Sequence, residues 1–179
     1  MTFAVVDENV PIVANDAARL AGRLKLISPQ ADDACRLATI ERLQMLIRGG
    51  VILIDDYGIV LGKYRDKLSS KGQPGIGDAF LRHIWDNSWN PKKVLQLAIE
   101  REKSGEFTAF PDDPDLETFD KDDRIFVALA RTAPKKAIIV NAVDSDYRDH
   151  SIALTRFGIE IEELCPHCLR KKARLQKSK

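Results

Sequence analysis

The sequence predicts an α/β fold: a three-layer α/β/α sandwich on a mostly parallel central sheet of about five strands. Three observations predict it. Short, almost continuously apolar runs recur along the chain, as in strands buried on both faces. Segments of helical period separate them, so strand and helix alternate throughout. The chain is 179 residues long with 44% apolar residues, the size of one domain with a sizeable core.

The first run, Phe3-Ala-Val-Val-Asp7, reads as a buried strand ending in an acid. Pro11 opens a helix through Leu20 and Leu24, broken at Ser28-Pro29. Asp32-Asp33 cap a second helix with Cys35, Leu37, Ile40, Leu43, Leu46 and Ile47 at helical spacing, stopped by Gly49-Gly50. Val51-Ile-Leu-Ile54 is the second strand and runs into Asp55-Asp56. A short helix spans 59–68, a Gly/Ser/Pro loop 69–77, and Asp78 caps a helix with Phe80, Leu81, Ile84 and Trp85. Residues 94–99 read as the third strand and 100–120 as irregular and polar. A helix runs from Asp122 or Asp123 to Arg131, and 137–143 form the fourth strand, which leads into Asp144-Ser145-Asp146. A helix through Ile152, Leu154 and Phe157 stops at Gly158, and 159–164 form a last, more exposed strand. Residues 1–168 form one domain, and 169–179 a basic tail.

No apolar run approaches a membrane span, and the N-terminus has no basic region before its first strand. Three cysteines, Cys35, Cys165 and Cys168, argue against a disulfide framework and fit a reducing compartment. The expected location is therefore cytoplasmic. The net charge is +1, but six basic residues and no acid lie in 169–179. The 28 basic residues less those six leave 22 against 27 acidic ones. An acidic body is a poor general nucleic-acid binder and suits acids gathered to hold cations. The tail reads as a solvated terminus or as a phosphate contact.

In an open α/β sheet the functional crevice lies beyond the carboxyl ends of the strands. Three predicted strands deliver acids there: Asp7, Asp55-Asp56, and Asp144 with Asp146. Asp120, Asp122 and Asp123 stand where the next helix begins. Each acid alone is explained by a helix N-terminus, where carboxylates satisfy free N–H groups. Several converging on one place repel and raise one another's pKa, a cost that a bound divalent cation removes. With no His or Cys among them, the set suits Mg²⁺ or Mn²⁺ rather than zinc. Such a site suits phosphodiester hydrolysis.

Three motifs in order resemble the PIN-domain nuclease family. Val5-Val6-Asp7-Glu8-Asn9-Val10 is similar to its opening strand, Asp123-Arg-Ile-Phe-Val-Ala-Leu-Ala130 to its third-acid helix, and Ile138-Ile-Val-Asn-Ala-Val-Asp144-Ser-Asp146-Tyr147 to its last motif. The resemblance covers the element order to Leu164. It implies a nuclease cutting RNA, sometimes DNA, with Mg²⁺ or Mn²⁺, acting as a toxin or defence effector with a protein partner or inhibitor; the oligomeric state, a dimer among the options, stays open. It further implies Asp7, Asp123 and Asp144 as metal ligands, Asp146 as ligand or water-orienting group, and Asn9 in support; Asp56 and Asp120, placed by the strand-end pattern, are further supporting candidates. One departure stands out. The family places a Glu on the helix after the second strand, where this chain has Gly62-Lys63. Asp56, Asp66 or Glu41 could compensate, or Lys63 could neutralise the acids in place of a metal. A catalytically silent binding or scaffold module is therefore the second reading. A phosphotransfer domain is a third, but Asp7-Glu8-Asn9-Val10-Pro11 lacks the second Asp a dehalogenase-like phosphatase needs, and no receiver set stands out.

Three further features remain. Gly72-Gln-Pro-Gly75-Ile-Gly77-Asp78 resembles a phosphate-cradling loop, with Gly75, Gly77 and Lys63 as candidate substrate contacts, or is a turn into an Asp cap. Cys165-Pro-His-Cys168 is half a zinc knuckle with only Cys35 and His167 to complete it, or a redox-sensitive dithiol, or an ordinary chain end. Trp85 and Trp89 stack on bases or pack on a neighbour.

Overall fold

In a computed structural model that describes residues 2–169, five strands form one all-parallel sheet: β1 (Phe3–Val6), β2 (Val51–Asp55), β3 (Val94–Leu97), β4 (Ala137–Asn141) and β5 (Glu160–Glu163). Helices cover it in a three-layer α/β/α arrangement, as the apolar runs predict. β2 is buried at every position and β1 at Ala4, Val5 and Val6, which only a sheet covered on both faces allows.

The strand order is β3-β2-β1-β4-β5. The chain winds outward from β1 to β3, then returns to place β4 on the other side of β1. The order thus reverses between β1 and β4, and crevices of open α/β sheets form at that reversal, outside the carboxyl ends. Phe3 to Val6 register with Ala137 to Val140, so β1 and β4 end side by side.

The helices are α1 (Asn9–Ala21), α2 (Asp33–Gly49), α3 (Ile59–Arg65), α4 (Ile76–Asn87), α5 (Arg124–Thr132), α6 (Asp146–Asp149) and α7 (Ser151–Arg156). α1, α2 and α4 pack on one another, while α5 packs across β1, β2 and β4. α1 begins two residues before Pro11 and ends at Ala21. Gly22 follows, Arg23 takes a left-handed φ of 56°, and Leu24 lies outside the helix. Asp32 caps α2 by accepting from the Cys35 N–H at 3.0 Å. Leu37, expected on the buried stripe, is 56% exposed, whereas Arg36 is buried, donating to Ala31 O and Asp33 Oδ1. α5 buries Ile125 to Leu129 and is anchored by buried Arg124, whose guanidinium bonds Glu106 Oε2 at 2.8 Å and Glu117 O at 2.9 Å.

The segment before Gly158 is two short helices, α6 and α7, because His150 at φ −106°, ψ 13° interrupts the helical path. The three cysteines do not all stay reduced: Cys35 and Cys165 form a disulfide, and buried Cys168 is free. The pair is 130 residues apart and joins the first turn of α2 to the segment after β5, which a cysteine count cannot reveal. Leu169, expected to open the tail, is buried, and the rest of the tail lies outside the described residues. No helix among the described residues is long and apolar enough to cross a membrane.

Candidate metal centre

Asp7 is the first residue beyond β1, and its N–H still donates to Val140 O at 3.0 Å, extending the ladder. That holds its carboxyl, 2% exposed, over the β1–β4 seam. Asp7 Oδ1 accepts from the Asn9 N–H at 2.9 Å and from the Asn9 amide, and Asp7 Oδ2 accepts from the Tyr147 hydroxyl at 2.8 Å. Asn9 also stitches the strand ends together. Its Nδ2 donates to Asn141 Oδ1 at 2.9 Å, and its Oδ1 accepts from the Ala142 and Val143 N–H groups at 2.9 and 3.2 Å. Asp144, in the loop after β4, is placed by Asn141, which donates to Asp144 O at 2.7 Å and accepts from its N–H at 3.2 Å. Asp123 ends the helical turn that leads into α5.

Asp7, Asp123 and Asp144 each bring one carboxylate oxygen within 4.8 Å of the other two. They come from three separate parts of the chain, as the acid pattern predicts. Burial raises the Asp7 carboxyl well above its ordinary range, and the charges of Asp123 and Asp144 add to the rise against the lowering Asn9 bond. Burial lifts Asp123 to about 7, with Lys63 pulling it down and Asp144, Glu8 and Asp120 pushing it up. Uncompensated negative charge is thus costly here, the condition that favours a bound cation. The all-oxygen donor set fits a hard divalent ion such as Mg²⁺ or Mn²⁺.

Lys63, on α3, reaches into the cluster. Its Nζ lies 2.9 Å from Glu8 Oε2 and 3.4 Å from Asp123 Oδ1. Burial acts to lower the Lys63 pKa, but the bonds and charges of Glu8 and Asp123 raise it above its ordinary value. Glu8 is an acid to which the strand-end pattern assigns no role. Glu163, at the carboxyl end of β5, is a second. It accepts from Asn141 Nδ2 at 2.8 Å, and its Oε1 is buried without a hydrogen-bond partner among the described residues. Burial lifts Glu163 to about 7, opposed by Asn141 and aided by Asp144. Its position directly across the ladder from Asn141 would have exposed it, had the strand order been known.

Several predicted residues have other duties. Asp146 stands outside the three-carboxylate cluster: its N–H donates to Asp144 Oδ1 at 2.9 Å, while its Oδ2 accepts from the Asp120 N–H at 2.9 Å. It ties the Asp144 loop to the turn carrying Asp123. Exposed Asp120 caps that turn, accepting from the Asp122 N–H at 2.9 Å. Asp56 is exposed; its buried neighbour Asp55 caps α3, accepting from the Ile59 and Val60 N–H groups, each at 2.8 Å. Gly75 and Gly77 do not form a phosphate cradle, for both are buried against α1. A Cβ on Gly77 would stand 2.1 Å from Pro11 O, and one on Gly75 2.1 Å from Asn15 Oδ1. Close packing is why glycine stands there. Asp78 fastens the loop instead, accepting from the Ser69 and Gly75 N–H groups and from Asn15 Nδ2.

Fold and site together define an open, doubly wound α/β protein with a carboxylate cluster, built on buried Asp7 and half-buried Asp123 and Asp144, at its strand-order reversal. Compared with family models, curated proteins and solved structures, the chain matches none of them.

Proposed function

We propose that this chain is a metal-dependent endonuclease of PIN type that hydrolyses phosphodiester bonds, in RNA rather than DNA. The observation that carries the proposal is the meeting of Asp7, Asp123 and Asp144 within 4.8 Å at the β1–β4 reversal. Those three would hold Mg²⁺ or Mn²⁺. The ion, when bound, would supply Lewis-acid polarisation of the phosphate and lower the pKa of water. Tyr147 and Asn9 aim the Asp7 carboxylate, and Asn141 and Asp146 hold the Asp144 loop. Glu163, held near 7 beside Asp144, is suited to exchange a proton at neutral pH. Lys63 offers a cation to a phosphate oxygen once it leaves Glu8.

A second reading, a silent binding module acting through a protein partner, is favoured by one observation. Lys63 already places a positive charge among the acids, between Glu8 and Asp123.

The test is cleavage of labelled RNA and single-stranded DNA with Mn²⁺, Mg²⁺ or EDTA, using wild type, Asp7→Asn and Asp144→Asn. Metal-dependent cutting of RNA, lost in both variants and in EDTA, is expected. No cutting by folded wild type under either metal would replace the nuclease reading with the silent module.

A further inference from the structure

A second group of donors gathers away from the acid cluster, where the start of α2 meets the segment after β5. Asp32 caps α2, and His167 and Cys168 sit on a helical turn at 166–169. The three are drawn together by tertiary packing, not by adjacency. His167 Nε2 lies 2.9 Å from Asp32 Oδ1, across 135 residues of sequence. One ligand atom from each of Asp32, His167 and Cys168 falls within 4.8 Å of the other two. Cys168 is a free thiol, 3% exposed, beneath the half-exposed His167 and Asp32.

The geometry points to a Zn²⁺ site formed by Asp32, His167 and Cys168, distinct from the acid cluster. The donor set, one sulfur, one imidazole nitrogen and one carboxylate oxygen, is the mixture zinc accepts and Mg²⁺ does not. Tetrahedral ligands at about 2.0–2.3 Å from zinc stand roughly 3.3–3.7 Å apart. The His167–Asp32 contact needs to open by less than about 1 Å to meet that spacing. Binding releases the Cys168 thiol proton to solvent. Three protein ligands leave one position for water, an open rather than a structural site.

The disulfide sets how many ligands the site has. Cys35 N–H donates to Asp32 Oδ1 at 3.0 Å, and the Cys168 N–H donates to Cys165 O at 3.0 Å, so both bonded cysteines adjoin the three ligands. A phosphine reductant opens the S–S bond. The phosphine is oxidised to its oxide with the oxygen of one water, and that water's two hydrogens go to the two sulfurs. Cys165, with the Cys-x-x-Cys spacing to Cys168, then supplies the fourth ligand.

Titration of the full chain with Co²⁺, a spectroscopic stand-in for Zn²⁺, tests this. The readout is thiolate-to-cobalt charge-transfer absorption, which an all-oxygen site cannot give. The disulfide-bonded protein is expected to bind one equivalent with this band and to release it to Zn²⁺. Cys168→Ser abolishes the band, half-exposed His167→Ala weakens binding at least tenfold, and Asp7→Asn leaves both unchanged. After phosphine reduction the band strengthens and binding tightens at least tenfold. Absence of the band in the disulfide-bonded protein, or its survival in Cys168→Ser, overturns the site. An unchanged band after reduction overturns the role of the disulfide.

Discussion

Replacing Asp123 by Asn removes one charge from the cluster while keeping its shape. In the metal-free protein Asp123 titrates near 7 against an ordinary value of 3.8, because it is buried beside Asp144 and Glu8. A carboxyl with a raised folded pKa favours folding where both states are protonated, below the unfolded value. Stability is then lost as pH rises from about 4 to about 7. Each unit is worth about 1.4 kcal/mol, so the rise from pH 5 to above 7 costs the wild type up to about 3 kcal/mol. Asp123→Asn escapes that cost but frees Lys63 from one partner, which returns part of it. The advantage of the variant over wild type should therefore grow by about 1–3 kcal/mol between pH 5 and pH 8. Urea unfolding of chelator-treated protein at both pH values measures it. Mn²⁺ at a hundredfold excess over its dissociation constant should then reverse the order at pH 8, stabilising the wild type by about 2.7 kcal/mol and the variant hardly at all. A wild type–variant difference that is the same at pH 5 and pH 8 would refute the reasoning, since the cluster would then not be electrostatically strained.

Lys63→Met leaves Glu8 and Asp123 without their shared cation, so metal-free stability at pH 8 should fall by about 1–3 kcal/mol and partly recover with Mn²⁺, measured by urea unfolding. Tyr147→Phe deletes the hydroxyl that holds Asp7 Oδ2, and should cost about 1–2 kcal/mol together with weaker Mn²⁺ binding by calorimetry. Gly77→Ala drives a methyl to 2.1 Å from Pro11 O, which is backbone, so about 3 kcal/mol or more of stability should be lost in a thermal melt.

The apolar runs before Asp7 and Asp144 marked β1 and β4 because a strand buried on both faces must be apolar at successive positions, a local property. The acids after those runs were visible for the same reason. Asp55 and Asp56 were not separable: one caps α3 and the other faces solvent, and only the turn after β2 chooses between them. Gly75 and Gly77 carried the look of an anion loop, yet the same small residues serve close packing against α1. Glu8 and Glu163 sat in plain view as charged residues of ordinary kind. Their importance lies in what stands beside them.

The alternation of strands and helices, the parallel sheet that follows from it, and the carboxylates at the strand ends are written into the local sequence. These depend on periodicity and capping within a few residues. Tertiary structure alone decided that β4 returns beside β1, so that Asp7, Asp123 and Asp144 share one place. It alone sent Lys63 among the acids and brought Cys35 to Cys165 and Asp32 to His167. Those contacts join residues about 20 to 140 positions apart, and their closeness is a property of the packed whole, in which each helix takes the place its neighbours leave it.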